Sequence, residues 1–293
     1  MRDFLRDYAT NGFAVLPGRI DGALLRTLQE RTSLYTDARN VPAAAAHLVD
    51  FEAPDDAAAV QAPAAVQRVR KPYEADPFFW ELACSEALLE PVRALLGDDV
   101  RLHHGKINVK APGIGAPLEW HQDWAFIPHS NSALAIVSIM IDDSGPQSGP
   151  VQYLPGSHLQ QLHAHHHDGV FMGAIDPAGL DLASACSVTG TAGTVAIHHP
   201  WVVHGSGFNT GTQPRRILFY EYAAADAWPL FYGVDWEEFN RRMVCGEPTD
   251  SPRLEEVEVR MPYPTASGGQ GRIYDQQRRF ERRYFERDAR AQA

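Results

Sequence analysis

The spacing of hydrophobic residues changes about a third of the way along the chain, from a helical pattern to a strand pattern. Before the change, apolar residues recur every three or four positions. This predicts helices over residues 3–10, from Asp21 to about Tyr35, and one or two within residues 78–96. Phe13–Leu16 is predicted to be a strand that ends at a proline and a glycine.

Beyond Val100, short apolar segments alternate with turns rich in Gly, Pro and Asn, which is typical of a jelly roll. Leu102–Lys110, Ala133–Ile141 and Val151–Leu154 are the clearest predicted strands. The predicted fold class is therefore mainly β with flanking helices. We expect a single domain over residues 1–293, with a helical part at 1–99, a barrel core at 100–230 and a C-terminal extension at 231–293.

Two segments lack a clear strand pattern. Residues 37–66 are rich in Ala, Pro and Asp, so we expect a surface loop, or alternatively a mobile lid over the barrel mouth. After a glycine-rich break at Gly268–Gly271, the tail from Asp275 to Arg287 predicts a helix with Phe280 and Tyr284 on one stripe. That stripe would face solvent or form a dimer contact, so a monomer or a homodimer is expected.

The candidate chemistry is concentrated in Glu119–Trp124. An extended backbone there places His121 and Asp123 on one face, from which an imidazole and a carboxylate can bind the same divalent metal. His204 can supply a second imidazole, because it follows a strand-like run bounded by glycines. Two histidines and one carboxylate form the facial triad of non-haem Fe(II) oxygenases, whose open positions take a chelating cosubstrate and O2.

Arg215 begins the predicted strand that follows the second histidine. A buried guanidinium beside the metal would offer a fixed fork to the far end of a dicarboxylate, and the Ser206 hydroxyl would bind the same carboxylate. This combination indicates 2-oxoglutarate. Lys106, Asn108 and Lys110 alternate with apolar residues on an earlier strand, and we expect their shared face to point into the barrel, toward the cosubstrate or an anionic substrate.

Other histidines offer alternatives. The stretch His166–Asp168 repeats the His-x-Asp spacing within His163–Gly169, but it lies in a polar segment after a turn. We therefore expect a loop at the barrel mouth, suited to an acidic substrate group or to adventitious Ni or Zn, rather than the iron site. His198 or His199 is expected to support a metal ligand, and His158 to fix a turn.

Composition narrows the class of protein further. The formal net charge of −11 argues against a nucleic-acid partner, which requires clustered positive charge. No apolar stretch is long enough to span a membrane, and no signal peptide is visible. The three scattered cysteines, Cys84, Cys186 and Cys245, make a disulfide framework improbable, so we expect a cytoplasmic protein.

Four stretches, in the same order along the chain, resemble the phytanoyl-CoA dioxygenase family: Phe4–Pro17, His121–Asp123, Leu154–His158 and His204–Arg215. The resemblance covers most of the chain and implies a double-stranded β-helix, the jelly-roll or cupin-like barrel. It also implies that His121, Asp123 and His204 hold Fe(II), that Arg215 and Ser206 hold 2-oxoglutarate, and that O2 is the cosubstrate. Halogenating relatives carry a small residue in place of the carboxylate, so Asp123 favours hydroxylation.

The resemblance further implies oxidation of an unactivated C–H bond of a small molecule, with release of succinate and CO2. Lys110 and the histidine loop would suit an anionic substrate such as a phosphonate, whereas Trp124, Phe126 and Trp228, together with Trp120, would suit a bulkier apolar one. A cupin-type isomerase, or a dioxygenase that does not use 2-oxoglutarate, could employ the same triad. A non-catalytic binding protein is the third alternative.

Overall fold

The computed structural model describes residues 1–52, 65–113, 115–231, 233–261 and 273–285. Its helices are α1 Arg2–Asn11, α2 Gly22–Thr36, α3 Pro72–Ala75, α4 Pro77–Ala83, α5 Glu86–Leu96, α6 Trp236–Arg241 and α7 Ile273–Gln277. Its strands are β1 Phe13–Leu16, β2 Val49–Phe51, β3 Val66–Arg70, β4 Val100–Lys110, β5 Leu118–His121, β6 Leu134–Met140, β7 Val151–Tyr153, β8 His166–His167, β9 Val170–Phe171, β10 Cys186–Val188, β11 Val195–His198, β12 His204–Ser206, β13 Arg215–Ala224 and β14 Met243–Cys245. The predicted N-terminal helices and the strand between them are present.

Two antiparallel sheets form the centre of the protein. The larger sheet has the strand order β1-β11-β6-β13-β4-β3-β2, with β14 beside β4, and the smaller has the order β10-β7-β12-β5. Side chains from both sheets share one apolar cluster, in which the rings of Phe13 and Tyr153 stack with their centroids 4.5 Å apart. The sheets therefore pack face to face, with His121 and His204 on the smaller sheet and Arg215 on the larger one.

The helical part covers the outer face of the larger sheet. Leu28 of α2, Phe79 of α4 and Leu88 of α5 are fully buried there, and each such side chain contributes about 1.5–3 kcal/mol to folding. The Tyr220 hydroxyl of β13 donates to the Phe79 carbonyl at 2.5 Å, and that of Tyr222 donates to the backbone of α4 at 2.8 Å. The N-terminal helices thus support the sheet, as the pattern predicted.

The prediction of a loop over residues 37–66 is wrong in part. This segment contains a 3-10 helix at Ala43–Leu48 and the strand β2, and its last residue begins β3. Strand β3 extends the larger sheet by pairing with β4. Short strands of this kind carry too little alternation to stand out from an Ala-rich background. Residues 53–64 lie outside the described residues, so the proposed lid stays a prediction.

The C-terminal tail differs from the predicted helix. Helix α7 ends at Gln277, and residues 278–285 are not helical. Instead of facing solvent, this part of the chain packs against β5: Phe280 is buried, and the Phe285 ring stacks on Trp120 with centroids 5.7 Å apart. The predicted break at Gly268–Gly271 lies outside the described residues. A stripe of apolar residues indicates that these side chains need to be buried, but it does not indicate which surface they pack against.

Candidate active site

Strands β5 and β12 bring two histidines together, because His121 lies directly opposite His204 in their antiparallel register. Strand β5 ends at His121, and Asp123 begins a short 3-10 helix instead of continuing the strand. The turn still directs the carboxylate inward, with Asp123 oxygens 3.8 Å from the Nε2 atom of each histidine. One potential ligand atom from each of the three residues lies within 4.8 Å of the other two.

Both imidazoles are fixed in the orientation that a metal ligand requires. The Nδ1–H group of His121 donates to the Glu119 carbonyl at 2.7 Å, and that of His204 donates to the Val202 carbonyl at 3.1 Å. Because each Nδ1 atom is occupied, each Nε2 lone pair is left to face the centre of the cluster. Burial lowers the pKa of both imidazoles, which favours the neutral, ligating form.

Asp123 is held from behind by His198. His198 Nε2 lies 3.0 Å from Asp123 Oδ2, and on the opposite side of the ring Nδ1 lies 3.0 Å from the Tyr153 hydroxyl. Burial would raise the pKa of Asp123, but the neighbouring imidazole of His204 and the hydrogen bond from His198 outweigh it and hold this pKa well below its usual value. The site therefore presents one carboxylate and two neutral imidazoles, the ligand set of a divalent transition metal.

The histidine-rich loop supports the metal-binding segment from outside. The buried His165 accepts a hydrogen bond at Nε2 from the Gln122 backbone N–H at 2.8 Å, while its Nδ1–H group donates to the His163 carbonyl at 2.9 Å. The Gln122 side chain accepts from the His163 N–H at 2.9 Å. His167 and Asp168 point elsewhere, since the Asp168 side chain is 90 % exposed. The alternative His-x-Asp stretch forms no three-ligand cluster among the described residues.

A cavity of about 360 Å³ adjoins the three candidate ligands. Its lining combines cationic, acidic and apolar side chains, namely Arg68, Lys71, His103, His104, Lys106, Asn108, Leu118, His121, Asp123, Phe126, Ile127, Val151, His204, Ser206, Phe219, Arg215, Glu221, Arg242 and Ile273. Five of these side chains are Lys or Arg, and only two are carboxylates. Cationic side chains therefore outnumber carboxylates in the lining, although the protein as a whole is acidic.

Arg215 and Ser206 both line this cavity, and both are buried. The Nε atom of Arg215 has no hydrogen-bond partner among the described residues. Burial lowers the pKa of Arg215 to about 10, so the guanidinium stays charged at neutral pH. A buried cation whose donor has no partner among the described residues, in the same cavity as the candidate ligands, is suited to bind a carboxylate, as predicted for Arg215.

The predicted polar face of β4 does point inward, but its three residues differ in their contacts. Lys106 Nζ forms an ion pair with Glu221 at 2.9 Å, and Asn108 Oδ1 is buried without a hydrogen-bond partner among the described residues. Burial would raise the pKa of Glu221, but Lys106 and neighbouring imidazoles lower it to about 2. Lys110 lies outside the cavity lining and donates to the backbone carbonyls of Ser206, at 3.1 Å, and Gly207. Its predicted substrate contact is replaced by a structural role.

Of the predicted aromatic contacts, only Phe126 lines the cavity. Trp124 is fully buried elsewhere, against Trp201, and its indole N–H donates to the Glu258 carbonyl at 2.8 Å. Trp228 packs against Trp236, with ring centroids 6.0 Å apart, and against a phenylalanine of α6. Trp124 and Trp228 therefore lie outside the cavity lining, where their rings pack against other aromatic side chains, and their predicted substrate contact finds no support in this arrangement.

Several lining residues were not identified from the sequence, notably Arg68, His103, His104, Glu221 and Arg242. Glu221 could have been found, because it alternates with the apolar outward residues of a strand already predicted to carry the anchor arginine. Arg68 lies on a strand that an Ala-rich context concealed. Arg242 approaches from a segment beyond the barrel core, and no periodic signal connects it with the cavity.

Comparison with known proteins places this geometry among oxygenases. The family model described as phytanoyl-CoA dioxygenase matches residues 8–217. A protein of Stutzerimonas stutzeri named probable alpha-ketoglutarate-dependent hypophosphite dioxygenase is 38% identical over 226 residues, which span 75% of this chain and 78% of that one. The L-proline trans-4-hydroxylase of Streptomyces griseoviridis is 31% identical over 158 residues, or 46% of this chain and 59% of the hydroxylase.

Solved structures resemble the whole arrangement of sheets and helices. EctD from S. alaskensis, crystallised with 2-oxoglutarate and 5-hydroxyectoine, superposes with a TM-score of 0.66 at 23% identity over 85% of each chain. A non-haem alpha-ketoglutarate-dependent carbocyclase from nogalamycin biosynthesis gives 0.65 at 21% identity, covering 86% of this chain and 94% of the carbocyclase. These likenesses confirm the predicted fold class. Among the described residues, none of the helices has the length and hydrophobicity that crossing a membrane requires.

Proposed function

Because the chain belongs to the phytanoyl-CoA dioxygenase family, we propose that its cavity is the active site of an Fe(II)- and 2-oxoglutarate-dependent oxygenase that hydroxylates a small molecule. The predicted enzyme class is confirmed by the relative at 38% identity, which is named an alpha-ketoglutarate-dependent dioxygenase, and the cluster of candidate ligands supports a metal cofactor. The observation that carries the residue assignment is the cluster of His121, Asp123 and His204 in one cavity lining with Arg215, whose Nε atom has no hydrogen-bond partner among the described residues.

The three candidate ligands fit Fe(II). His121 and His204 would bind through Nε2, and Asp123 through its carboxylate, so that all three approach from the protein side and leave the cavity side open. With iron and 2-oxoglutarate bound, the site supplies oxidative decarboxylation, in which substrate, O2 and 2-oxoglutarate give hydroxylated product, succinate and CO2. The protein contributes the fixed orientation of the ligands through the Glu119 and Val202 carbonyls.

Arg215 and Ser206 would hold the carboxylate of 2-oxoglutarate that lies farther from the metal. Arg215 offers an unused N–H group, and Ser206 follows His204 on the same strand, within the same lining. The planar fork of a guanidinium matches a carboxylate better than an ammonium does. This pair favours a 2-oxoglutarate enzyme over a cupin-type metalloenzyme, which has no need of a second anchor.

The substrate that suits this cavity is a small anion. Five cationic side chains line it against two carboxylates, and the aromatic residues that would have favoured a bulky apolar substrate are mostly packed elsewhere. The relative at 38% identity is named for hypophosphite, which is itself a small oxyanion. Phe126 and Ile127 would form the apolar part of the binding surface.

We also propose a single catalytic domain, because helices α2, α4 and α5 share one core with the larger sheet. The placement of the C-terminal tail against β5 makes a monomer the simpler state, although a homodimer stays possible. All three cysteines are free, which agrees with the expected cytoplasmic location.

The metal assignment can be tested without knowledge of the substrate. Iron enzymes of this class release some succinate in the absence of substrate, so purified His121→Ala and Asp123→Ala variants should lose this release while keeping the wild-type circular dichroism spectrum. His166→Ala, a change on the neighbouring loop outside the cavity lining, serves as the matched control and should behave like wild type. Wild-type succinate release by either ligand variant would contradict the assignment.

A further inference from the structure

Two guanidinium groups line the cavity with a buried Nε atom that has no hydrogen-bond partner among the described residues, those of Arg215 and Arg68. The other cationic side chains of the lining are neutralised locally. Lys106 pairs with Glu221 at 2.9 Å, and Lys71 with Glu74 at 2.9 Å. Arg242 pairs with Glu238. Arg68 differs from these three residues because none of the described carboxylates forms an ion pair with it, so its guanidinium is available to bind a ligand.

Arg68 is held in place by the sheet. It lies on β3 directly opposite Asn108 of β4, which is also in the cavity lining and whose buried Oδ1 atom has no hydrogen-bond partner in the described part of the chain. On its other side Arg68 faces Asp50 of β2, whose carboxylate forms an ion pair with Arg70 at 3.4 Å. Burial lowers the pKa of Arg68, and Asp50, Tyr274 and Glu221 partly offset this effect.

The cosubstrate does not account for this second guanidinium. One carboxylate of 2-oxoglutarate would be taken up by the metal, and the other is assigned to Arg215. Among the described residues no carboxylate forms a hydrogen bond or an ion pair with Arg68, although Asp50 and Glu221 lie near enough to affect its pKa. Keeping a guanidinium largely out of water without such a partner costs free energy, which a bound anion would recover. Arg68 shares the cavity with the metal ligands, so an anion bound there would lie within the space where oxidation occurs.

We propose that Arg68 anchors the anionic group of the substrate, a small oxyanion, and so determines the substrate specificity of the enzyme. This inference rests on the proposed function. The planar guanidinium of Arg68 would donate hydrogen bonds to two oxygens of the anion, and the Asn108 amide would donate to one of them. Phosphinate, phosphonate and carboxylate groups share this chemistry, and the choice among them is an outcome of the test.

The test uses the complete protein, anaerobically loaded with Fe(II) and 2-oxoglutarate, and follows the visible charge-transfer band of the chelate. Hypophosphite, methylphosphonate and acetate are titrated separately, and a change in the band reports binding near the metal. At least one of the three should bind to wild type, and Arg68→Met should weaken that binding by about tenfold or more. Arg68→Lys should recover part of it. Arg216→Met is the matched control, because Arg216 pairs with Asp142 at 2.7 Å and lies outside the cavity lining.

The outcomes separate this inference from the proposed function. If wild type shows no band, the cosubstrate assignment fails. If the band forms but none of the three anions perturbs it, or if Arg68→Met binds them as tightly as wild type, the anchor role of Arg68 is wrong. If Arg68→Met loses the band itself, Arg68 holds 2-oxoglutarate and the inference is also overturned.

Discussion

His198 Nε2 lies 3.0 Å from Asp123 Oδ2 and so connects the larger sheet to the candidate metal ligand that is not on a strand. The same imidazole reaches the Tyr153 hydroxyl of the smaller sheet at 3.0 Å. Asp123 belongs to a short turn, which alone would leave its carboxylate free to rotate. The contact with His198 restricts this rotation, and it leaves the second oxygen, Oδ1, nearer to His121.

Replacement of His198 by Ala should weaken Fe(II) binding by about 10-fold to 100-fold, the usual effect of removing a group that orients a metal ligand. The apparent dissociation constant for Fe(II), measured anaerobically, checks this expectation. His199→Ala is the control, because His199 instead accepts a hydrogen bond from the Trp201 N–H at 3.1 Å. Equal Fe(II) affinities in the two variants would mean that Asp123 needs no support from His198.

His165 is not a candidate metal ligand, but its removal should lower both the stability of the protein and its affinity for Fe(II). His165→Ala leaves the buried N–H of Gln122 without its acceptor, which costs about 1–3 kcal/mol in the free energy of unfolding. Because Gln122 lies between His121 and Asp123, Fe(II) affinity should also fall. Urea unfolding of metal-free protein and an Fe(II) titration provide the two measurements. His167→Ala, which removes a partly exposed imidazole of the same loop, should change neither quantity, and equal effects in both variants would refute the role of His165.

The metal-free protein should lose stability as the pH falls below about 6.5. Burial lowers the pKa of His129 to about 3, from a usual value of 6.5. Between pH 6.5 and about pH 3, His129 is protonated in the unfolded chain but not in the folded chain. Each unit by which the pH falls in this range therefore lowers the free energy of unfolding by about 1.4 kcal/mol through this group alone. His103 and His104, whose pKa values burial lowers to about 4 and about 3, act in the same direction.

His129→Asn separates this effect from general acid sensitivity. The Asn side-chain amide can replace the Nδ1–H group that donates to the Ile127 carbonyl at 2.8 Å, but it does not titrate. Unfolding free energies measured at pH 7.5 and pH 5 should therefore differ less in the variant than in wild type. An unchanged difference would show that folding does not lower the pKa of His129.

The metal cluster was predictable because its signal is local. His121 and Asp123 are two positions apart, and His204 stands in a short motif that follows a strand, so the three side chains converge once the strands pair. His198 was recognised only as one of two adjacent candidates. The choice between it and His199 depends on which face of β11 meets the smaller sheet, and that is a property of packing between sheets.

For other residues, the local sequence pattern did not predict the contacts that the side chain makes. Alternation placed Lys106 and Lys110 on the same inward face, yet Lys110 sits at the end of β4, where the carbonyls of Ser206 and Gly207 capture its ammonium group. Trp228 is an aromatic residue of the kind that often contacts substrates, but in the structure its ring packs against Trp236. Arg68 required knowledge that β3 joins the sheet beside β4, a long-range pairing that no spacing in the sequence reveals.

Binding of 2-oxoglutarate by Fe(II) and Arg215 is tested by an anaerobic titration of Fe(II)-loaded protein with 2-oxoglutarate, followed through the visible charge-transfer band. Wild type should develop the band, and so should Arg216→Ala, which changes the adjacent arginine that pairs with Asp142 at 2.7 Å, away from the cavity lining. Arg215→Ala should require at least about 30-fold more 2-oxoglutarate, because the far carboxylate loses its buried partner. A band that appears in Arg215→Ala at the wild-type concentration, or that never appears in wild type, would contradict the account.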